Sequence, residues 1–272
     1  MLSEKYLKSL EIIDISTLDS ILTEYVKSSE ISVGAGVEKL NVSDFLDNVF
    51  AKYAKLIPNR VVNIIVDLSV ESKLYFLLIQ EQKDIIKNQG ETLSSGILDK
   101  MVFLDAFIKE SLQQSYPASF IFRMAKKDVY LSSGHMIEKG SVASINAFSK
   151  LHKKGRMERN FDIRRHIISK RPFNESSLDN LVWGLGSTKC PLSKYAGTII
   201  KVFIVLMIRK YYIFSDNEGN KPRFRGYNHF STVVPRTKSV YLKAHDIKSY
   251  RDFIDLESEY NSLLNLKHKK LF

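Results

Sequence analysis

The residue best placed to do chemistry is Cys190, the one cysteine of the chain. It closes the stretch Trp183-Gly184-Leu185-Gly186-Ser187-Thr188-Lys189-Cys190, and Pro191 follows it. An apolar run from Tyr195 to Tyr212 then reads as a helix. A thiol at a helix N-terminus faces unpaired N–H groups and the positive end of the helix dipole, and both favour the thiolate. Pro191 suits the first helical position, which needs no N–H. Gly184 and Gly186 let the backbone turn tightly and approach a flat ligand closely. A soft thiolate presented in this way is a ligand for iron or zinc. The plainer reading of a lone cysteine is a small buried hydrophobe.

Other constellations offer less. His135, His152, His166, His229, His245 and His268 show no metal-ligand spacing and are expected on the surface or in loops. Gly184-Leu185-Gly186 could open a dinucleotide loop, but no third glycine follows and no clean strand precedes it. Serine-nucleophile motifs and a phosphate-binding G-x-x-x-x-G-K are absent. Taken alone, Glu110 reads as an acid on a helix surface and Arg165 as a base in a loop.

The elements that must position these residues are mostly helical. Val42, Phe45, Leu46, Val49, Phe50, Tyr53, Leu56 and Ile57 recur at i, i+3 and i+4, the spacing of an amphipathic or buried helix. Pro58 should kink or end it, with Val61 to Leu68 as its continuation. Leu74 to Asn88 is a second helix, closed by Gln89-Gly90, and Leu98 to Ser115 a third. Phe120 to Ile145 alternates in short stretches broken by Ser132-Ser133-Gly134 and Lys139-Gly140, which suits strands and turns. Lys150 to Ser177 is polar and basic without periodicity, so a long irregular loop is expected there. Residues 213–243 suit a hairpin, with Asn217-Glu218-Gly219-Asn220 as its turn. Tyr250, Phe253, Ile254, Leu256, Tyr260, Leu263 and Leu264 suggest a short amphipathic helix in the tail. The expected fold class is mainly α with a minor β component.

The cysteine stretch resembles the heme-binding loop of the cytochrome P450 family, the heme-thiolate monooxygenases. Trp183 matches that loop's aromatic, Gly186 its glycine and Cys190 its thiolate ligand, and the Trp-Gly-Leu-Gly and Cys-Pro wording is most similar to fungal members. Thr188 stands where a basic residue normally meets a heme propionate, Leu192 replaces the glycine after Cys-Pro, and Ser193 stands for a usual arginine. Upstream, Leu104-Asp105-Ala106-Phe107-Ile108-Lys109-Glu110-Ser111-Leu112-Gln113 resembles the family's E-x-x-R helix, with Glu110 as its acid and Gln113 in place of its arginine. Arg123 matches an arginine that binds a propionate. Phe161-Asp162-Ile163-Arg164-Arg165-His166 resembles the F-D-P-x-R segment, with Arg165 as its arginine and Ile163 for its proline. Val234-Pro235-Arg236-Thr237-Lys238 is similar to the end of fungal members.

The resemblance implies heme iron as cofactor, bound by Cys190, Trp183, Gly186 and Arg123, with Cys190 the metal ligand. It implies structural roles for Glu110 and Arg165, which would lock the 98–115 helix to the 150–177 loop. Restoring arginine at position 113 is expected to strengthen that lock. A reductase is the implied electron donor and a lipophilic small molecule the implied substrate. The family's central helix carries an acid or alcohol followed by threonine, to deliver protons to iron-bound dioxygen. The matching positions here are Ala54, Lys55 and Leu56, and neither alanine nor leucine relays a proton.

Composition bounds the rest. The chain has 272 residues, 44% of them hydrophobic, enough to bury a real core. A single cysteine excludes an internal disulfide. The charged start Met1-Leu2-Ser3-Glu4-Lys5 is no signal sequence, and the longest apolar run, Val202 to Ile208, is far below the ~20 residues that span a bilayer. No transmembrane anchor is expected in this chain, and the expected location is intracellular, in the cytosol or on the cytosolic face of a membrane. Lysine and arginine number 41 against 30 acids, a net charge of +11 that suits an acidic redox partner or an anionic membrane surface. No nucleic-acid-binding pattern is present. Three segments are expected: 1–45, N-terminal and partly helical; 46–243, the P450-like heme-binding portion; and 244–272, the tail. The reading is the C-terminal portion of a cytochrome P450-like monooxygenase, truncated and altered at motif positions. The alternatives are a non-catalytic relic and a basic helical interaction module.

Overall fold

The computed structural model describes residues 37–41, 58–115, 119–146, 161–169, 171–215, 227–228, 234–235, 237 and 239–248. In helix α1, Pro58–Val70, the residues from Val61 to Ser69 are all buried, the polar Asn63 and Asp67 among them, so the helix is enclosed by its neighbours. Pro58 is its first residue, where a missing N–H is harmless. The helix expected over residues 42–57 lies outside the described residues. Helix α2, Ser72–Gln89, buries Tyr75, Leu77, Leu78 and Ile85 and ends at Gly90, whose φ of 82° closes the last turn. The Tyr75 hydroxyl donates to the Tyr211 carbonyl, pinning α2 to the far end of the chain.

The helix expected over Leu98 to Ser115 starts four residues later, as α4, Val102–Gln114, and a short helix, α3, Ser95–Leu98, precedes it. The start of α4 is set by a side chain from α2. Glu81 accepts the Phe103 N–H at 2.7 Å and the Leu104 N–H at 3.0 Å, filling two of the donors that a helix start leaves open.

The stretch read as an irregular loop also holds a helix, α5, Arg164–Ser169. Asp162 accepts the Arg164 N–H at 3.0 Å, and Ile163 and Ile167 bury one face of the turn. Phe161, just ahead, lies with its ring centroid 4.9 Å from that of Phe107 on α4. Helix α6, Ser193–Lys210, starts after Pro191, so the proline sits in the preceding turn and not at the first helical position. The helix ends one residue before Tyr211, and Tyr211 and Tyr212 belong to a strand.

That strand, β6 (Tyr211–Phe214), pairs antiparallel with β9 (Ser239–Ala244), which pairs in turn with β1 (Val37–Asn41), giving the order β1-β9-β6. Ile213 lies opposite Leu242, and Leu40 opposite Val240. The expected hairpin is therefore a wider pairing, with β7 (Tyr227–Asn228) and β8 (Val234–Pro235) paired inside the connection. The turn at 217–220 and the tail helix lie outside the described residues. The strands expected over 120–145 are β2 (Ser119–Met124), β3 (Val129–Tyr130), β4 (Met136–Ile137) and β5 (Val142–Asn146), with β2 on β5 and β3 on β4. Gly134 and Gly140 turn them at φ of 84° and 88°. The architecture is mainly α with minor β, and α1, α2, α4 and α6 supply most of one core. No helix of the described residues is long and apolar enough to cross a membrane.

Candidate functional site

The Cys190 loop is built on a floor of buried hydrogen bonds. Trp183 ends a short 3-10 turn, Leu181–Trp183, and is buried with its Nε1–H donating to the Phe173 carbonyl at 2.7 Å. Asn180, buried beside it, donates through Nδ2 to the carbonyls of Phe173 and Glu175 at 2.7 Å each. The Ser176 hydroxyl donates to the Gly184 carbonyl. The Cys190 N–H donates to the Trp183 carbonyl at 2.6 Å and closes the loop. Closure in so few residues needs left-handed backbone at Gly184, φ 78°, and Gly186, φ 64°.

Cys190 is a half-buried free thiol packed against the core. Two residues, Pro191 and Leu192, separate it from the start of α6, so the helix begins beyond the position at which Cys190 would cap it. Beside the loop there is room: a Cβ added at Gly186 would meet nothing within 4 Å. Arg123 on β2 reaches the same loop, with Nη2 donating to the Leu185 carbonyl at 2.8 Å and Nη1 to the Phe122 carbonyl at 2.8 Å. Trp183, Gly186 and Cys190 thus share one loop, and the exposed Arg123 guanidinium borders it.

The inner side of the loop is crowded. Gly197 of α6 comes so close that an added Cβ would lie 2.8 Å from Asn174 Cβ and 3.1 Å from Phe173 Cζ. Asn174 is part of this packing, and the Ser176 hydroxyl is taken by Gly184.

Behind the loop sits a buried carboxylate. Glu110 on α4 accepts Arg165 Nη2 at 2.6 Å, Arg165 Nε at 2.9 Å, His166 Nε2 at 2.7 Å and Gln114 Nε2 at 2.7 Å. Burial pushes the Glu110 carboxyl up, but the bond from His166 and the Arg165 charge outweigh it and hold Glu110 below the usual carboxylate range. Burial pushes His166 down from its ordinary value, ahead of the opposing pull of Glu110. Gln113 takes no part in this cluster. Its Nε2 donates to the Asp179 carbonyl at 2.8 Å, at the entry to the Trp183 turn.

His166 corrects the expectation that the histidines lie on the surface or in loops: it is 7% exposed and helical. The signal was local and readable, an Asp162 cap followed by Ile163 and Ile167 at i, i+4. Its partner, 56 residues away, was not. Glu81 was missed for the same reason, since its carboxylate acts on a helix start 22 residues on.

The donor set suits a metal that arrives with ligands of its own. Among the described residues no group of three His, Cys, Asp or Glu could hold a metal ion, so the Cys190 thiol would be a lone protein ligand. A macrocycle supplies the other equatorial donors, and the open side of Gly186 and the adjacent Arg123 fit a flat anionic ring.

The model of the cytochrome P450 family matches residues 67–243, from α1 to β9. The cytochrome P450 monooxygenase terP of Tolypocladium album is 28% identical over 166 residues, covering 57% of this chain and 32% of that protein. The cytochrome P450 monooxygenase ausG of Aspergillus calidoustus is 28% identical over 174 residues, covering 60% and 33%. The cytochrome P450 monooxygenase paxP of Penicillium paxilli is 26% identical over 156 residues, covering 54% and 30%. The chain spans about a third of the length of these curated relatives.

Proposed function

This chain belongs to the cytochrome P450 family, and from that premise we propose that it is a heme-thiolate protein with Cys190 as the axial ligand. Membership implies a heme-iron cofactor. The observation that carries the reading is the closed loop: the Cys190 N–H is bonded back to Trp183, the thiol is unpaired, and Gly186 leaves open space beside it. Heme iron would supply oxygen activation with electrons from a reductase, for insertion of one oxygen atom into a lipophilic substrate.

The chain's own residues prepare that chemistry. Cys190 would hold the iron through its thiolate, an electron-rich ligand. Buried Trp183 and Asn180 fix the loop by their bonds to Phe173, which holds the sulfur at one depth. Gly186 would leave room for the ring, and Arg123 would offer a cation to a propionate. The Glu110 cluster braces α4 behind the loop.

Ala54, Lys55 and Leu56 favour a second reading within the same family, a heme protein with weak turnover. These positions would offer no hydroxyl or carboxyl to relay protons, so reducing equivalents would leave as hydrogen peroxide. The test is reconstitution with hemin, reduction and exposure to carbon monoxide. A red-shifted, thiolate-type Soret band that disappears in Cys190→Ala is expected. An unshifted band, or one unchanged by Cys190→Ala, overturns the axial assignment. Adding a fungal reductase and NADPH then compares peroxide with NADPH consumed. Nearly all of the NADPH should appear as peroxide, and tightly coupled product formation would reject the weak-turnover reading.

A further inference from the structure

We propose that His166 is a positioning residue of the Cys190 loop and that it fills, at Glu110, the buried donor role that position 113 does not supply in this chain. The proposal deepens the heme-thiolate reading and rests on it for the cofactor alone; its geometry is independent of heme.

The Glu110 side chain is 0% exposed. A carboxylate in that position needs donors on both oxygens, because its desolvation is otherwise uncompensated. Arg165 supplies charge, but its side chain is 40% exposed, so solvent screens it. The enclosed donors are Gln114, with Nε2 on Oε1 at 2.7 Å, and His166, 6% exposed, with Nε2 on Oε2 at 2.7 Å, the oxygen that Arg165 also uses. An ionised carboxylate only accepts, so the 2.7 Å contact places a hydrogen on His166 Nε2. Arg165 Nε, 3.3 Å from the same nitrogen, is then a neighbour and not a donor to it. Ile163 and Ile167 are buried on either side of His166 along α5, which holds the imidazole inward.

Gln113 is released for a second task. Residues three apart on a helix are neighbours, so position 113 is within reach of Glu110. The glutamine instead donates to Asp179 at 2.8 Å. Asp179 adjoins Asn180, whose amide shares the Phe173 carbonyl with Trp183, and the Trp183 carbonyl holds the Cys190 N–H. Hydrogen bonds joined by short stretches of backbone therefore lead from α5 through α4 to the cysteine. His166 holds α4 at Glu110, and Gln113, one turn on, ties the helix to the loop.

The test is a double-mutant cycle between His166→Phe and Gln113→Arg, read by urea midpoint and by the rate at which iodoacetamide alkylates Cys190 in the folded protein. Phenylalanine keeps the ring and removes the donor. His166→Phe should lower the midpoint and speed alkylation several-fold, while His166→Gln, which keeps an N–H, should stay near wild type in both. Gln113→Arg alone should not raise the midpoint, because Glu110 is already saturated. In the His166→Phe background the same change should recover most of the midpoint and slow the alkylation again. Equal effects of Gln113→Arg in the two backgrounds, or unchanged alkylation in His166→Phe, overturn the proposal. If His166→Phe alone does not fold, folding of the double variant is the expected rescue, and its failure overturns the proposal. Neither readout uses heme, so failure to bind hemin sinks the cofactor reading and leaves this cycle to be judged by itself.

Discussion

Gly197 shows how little space the inner side of the loop leaves. A methyl group there would press on Asn174 Cβ at 2.8 Å and on Phe173 Cζ at 3.1 Å, and Phe173 carries the carbonyl that holds both Trp183 and Asn180. The Gly197→Ala change should cost roughly 1–3 kcal/mol, the ordinary penalty of overpacking, although alanine is the better helix former. A urea midpoint equal to or above wild type would show that the loop yields without strain. His166 adds a pH dependence at the same scale. Its folded value lies below the ordinary 6.5 because of burial, so the fold favours the neutral ring. The stability it contributes is present above pH 6.5 and lost as the pH falls below it, with Glu110, Arg165 and Lys109 as the charged neighbours. The midpoint should drop more steeply between pH 7.5 and 5.5 in wild type than in His166→Gln, and parallel profiles would count against it. Cys190, Trp183 and Gly186 were legible in the sequence because their partners lie within the same short stretch. The bonding of His166 was not, because it depends on a carboxylate brought from another helix.

Periodicity at the scale of elements made α2 and most of α6 readable, because each is amphipathic or apolar over several turns. The break between α3 and α4 was unreadable for a physical reason: the donor-satisfying group is Glu81 of α2, remote in sequence. That carboxyl is fully buried, and burial raises it from 4.5 to about 7 against the two backbone N–H bonds and the Lys201 charge. A raised carboxyl means that the folded state holds its proton more tightly than the unfolded chain. Stability from this group is therefore complete below pH 4.5 and declines through the window up to about 7. The decline approaches roughly 3 kcal/mol if the full shift is realised. Glu81→Gln removes the titration and keeps an acceptor for the start of α4. Measured against wild type, its relative stability should rise between pH 4.5 and pH 7.5. A constant difference across that range would mean that Glu81 is ionised throughout and acts as a charged cap. Lys201 on α6 also pairs with Asp105 on α4 at 2.5 Å, a part-buried contact whose charges act on the same carboxyl.

Two levels of burial divide the molecule as a whole. Val61 to Ser69 of α1 and Ile199 to Val205 of α6 are enclosed, whereas the β2–β5 region carries Met124 at 69% and Tyr130 at 75% exposure, with Phe122, Met136 and Val142 also exposed. The register explains the patch: Met124 faces Val142 across the pair, and Phe122 lies two residues back on the same face. A two-stranded ribbon is marginal in water unless its apolar face is covered. The net charge of +11 keeps such a chain dispersed by self-repulsion, so the exposed face need not drive association. Amide hydrogen exchange separates the two levels directly. The amides that bridge β2 and β5 should exchange through local opening, orders of magnitude faster than those of α1 and α6, which open only with the core. Protection of the ribbon equal to that of α6 in dilute protein would mean that its apolar face is covered in solution. Loss of that protection on further dilution would then identify the cover as a second copy of the chain.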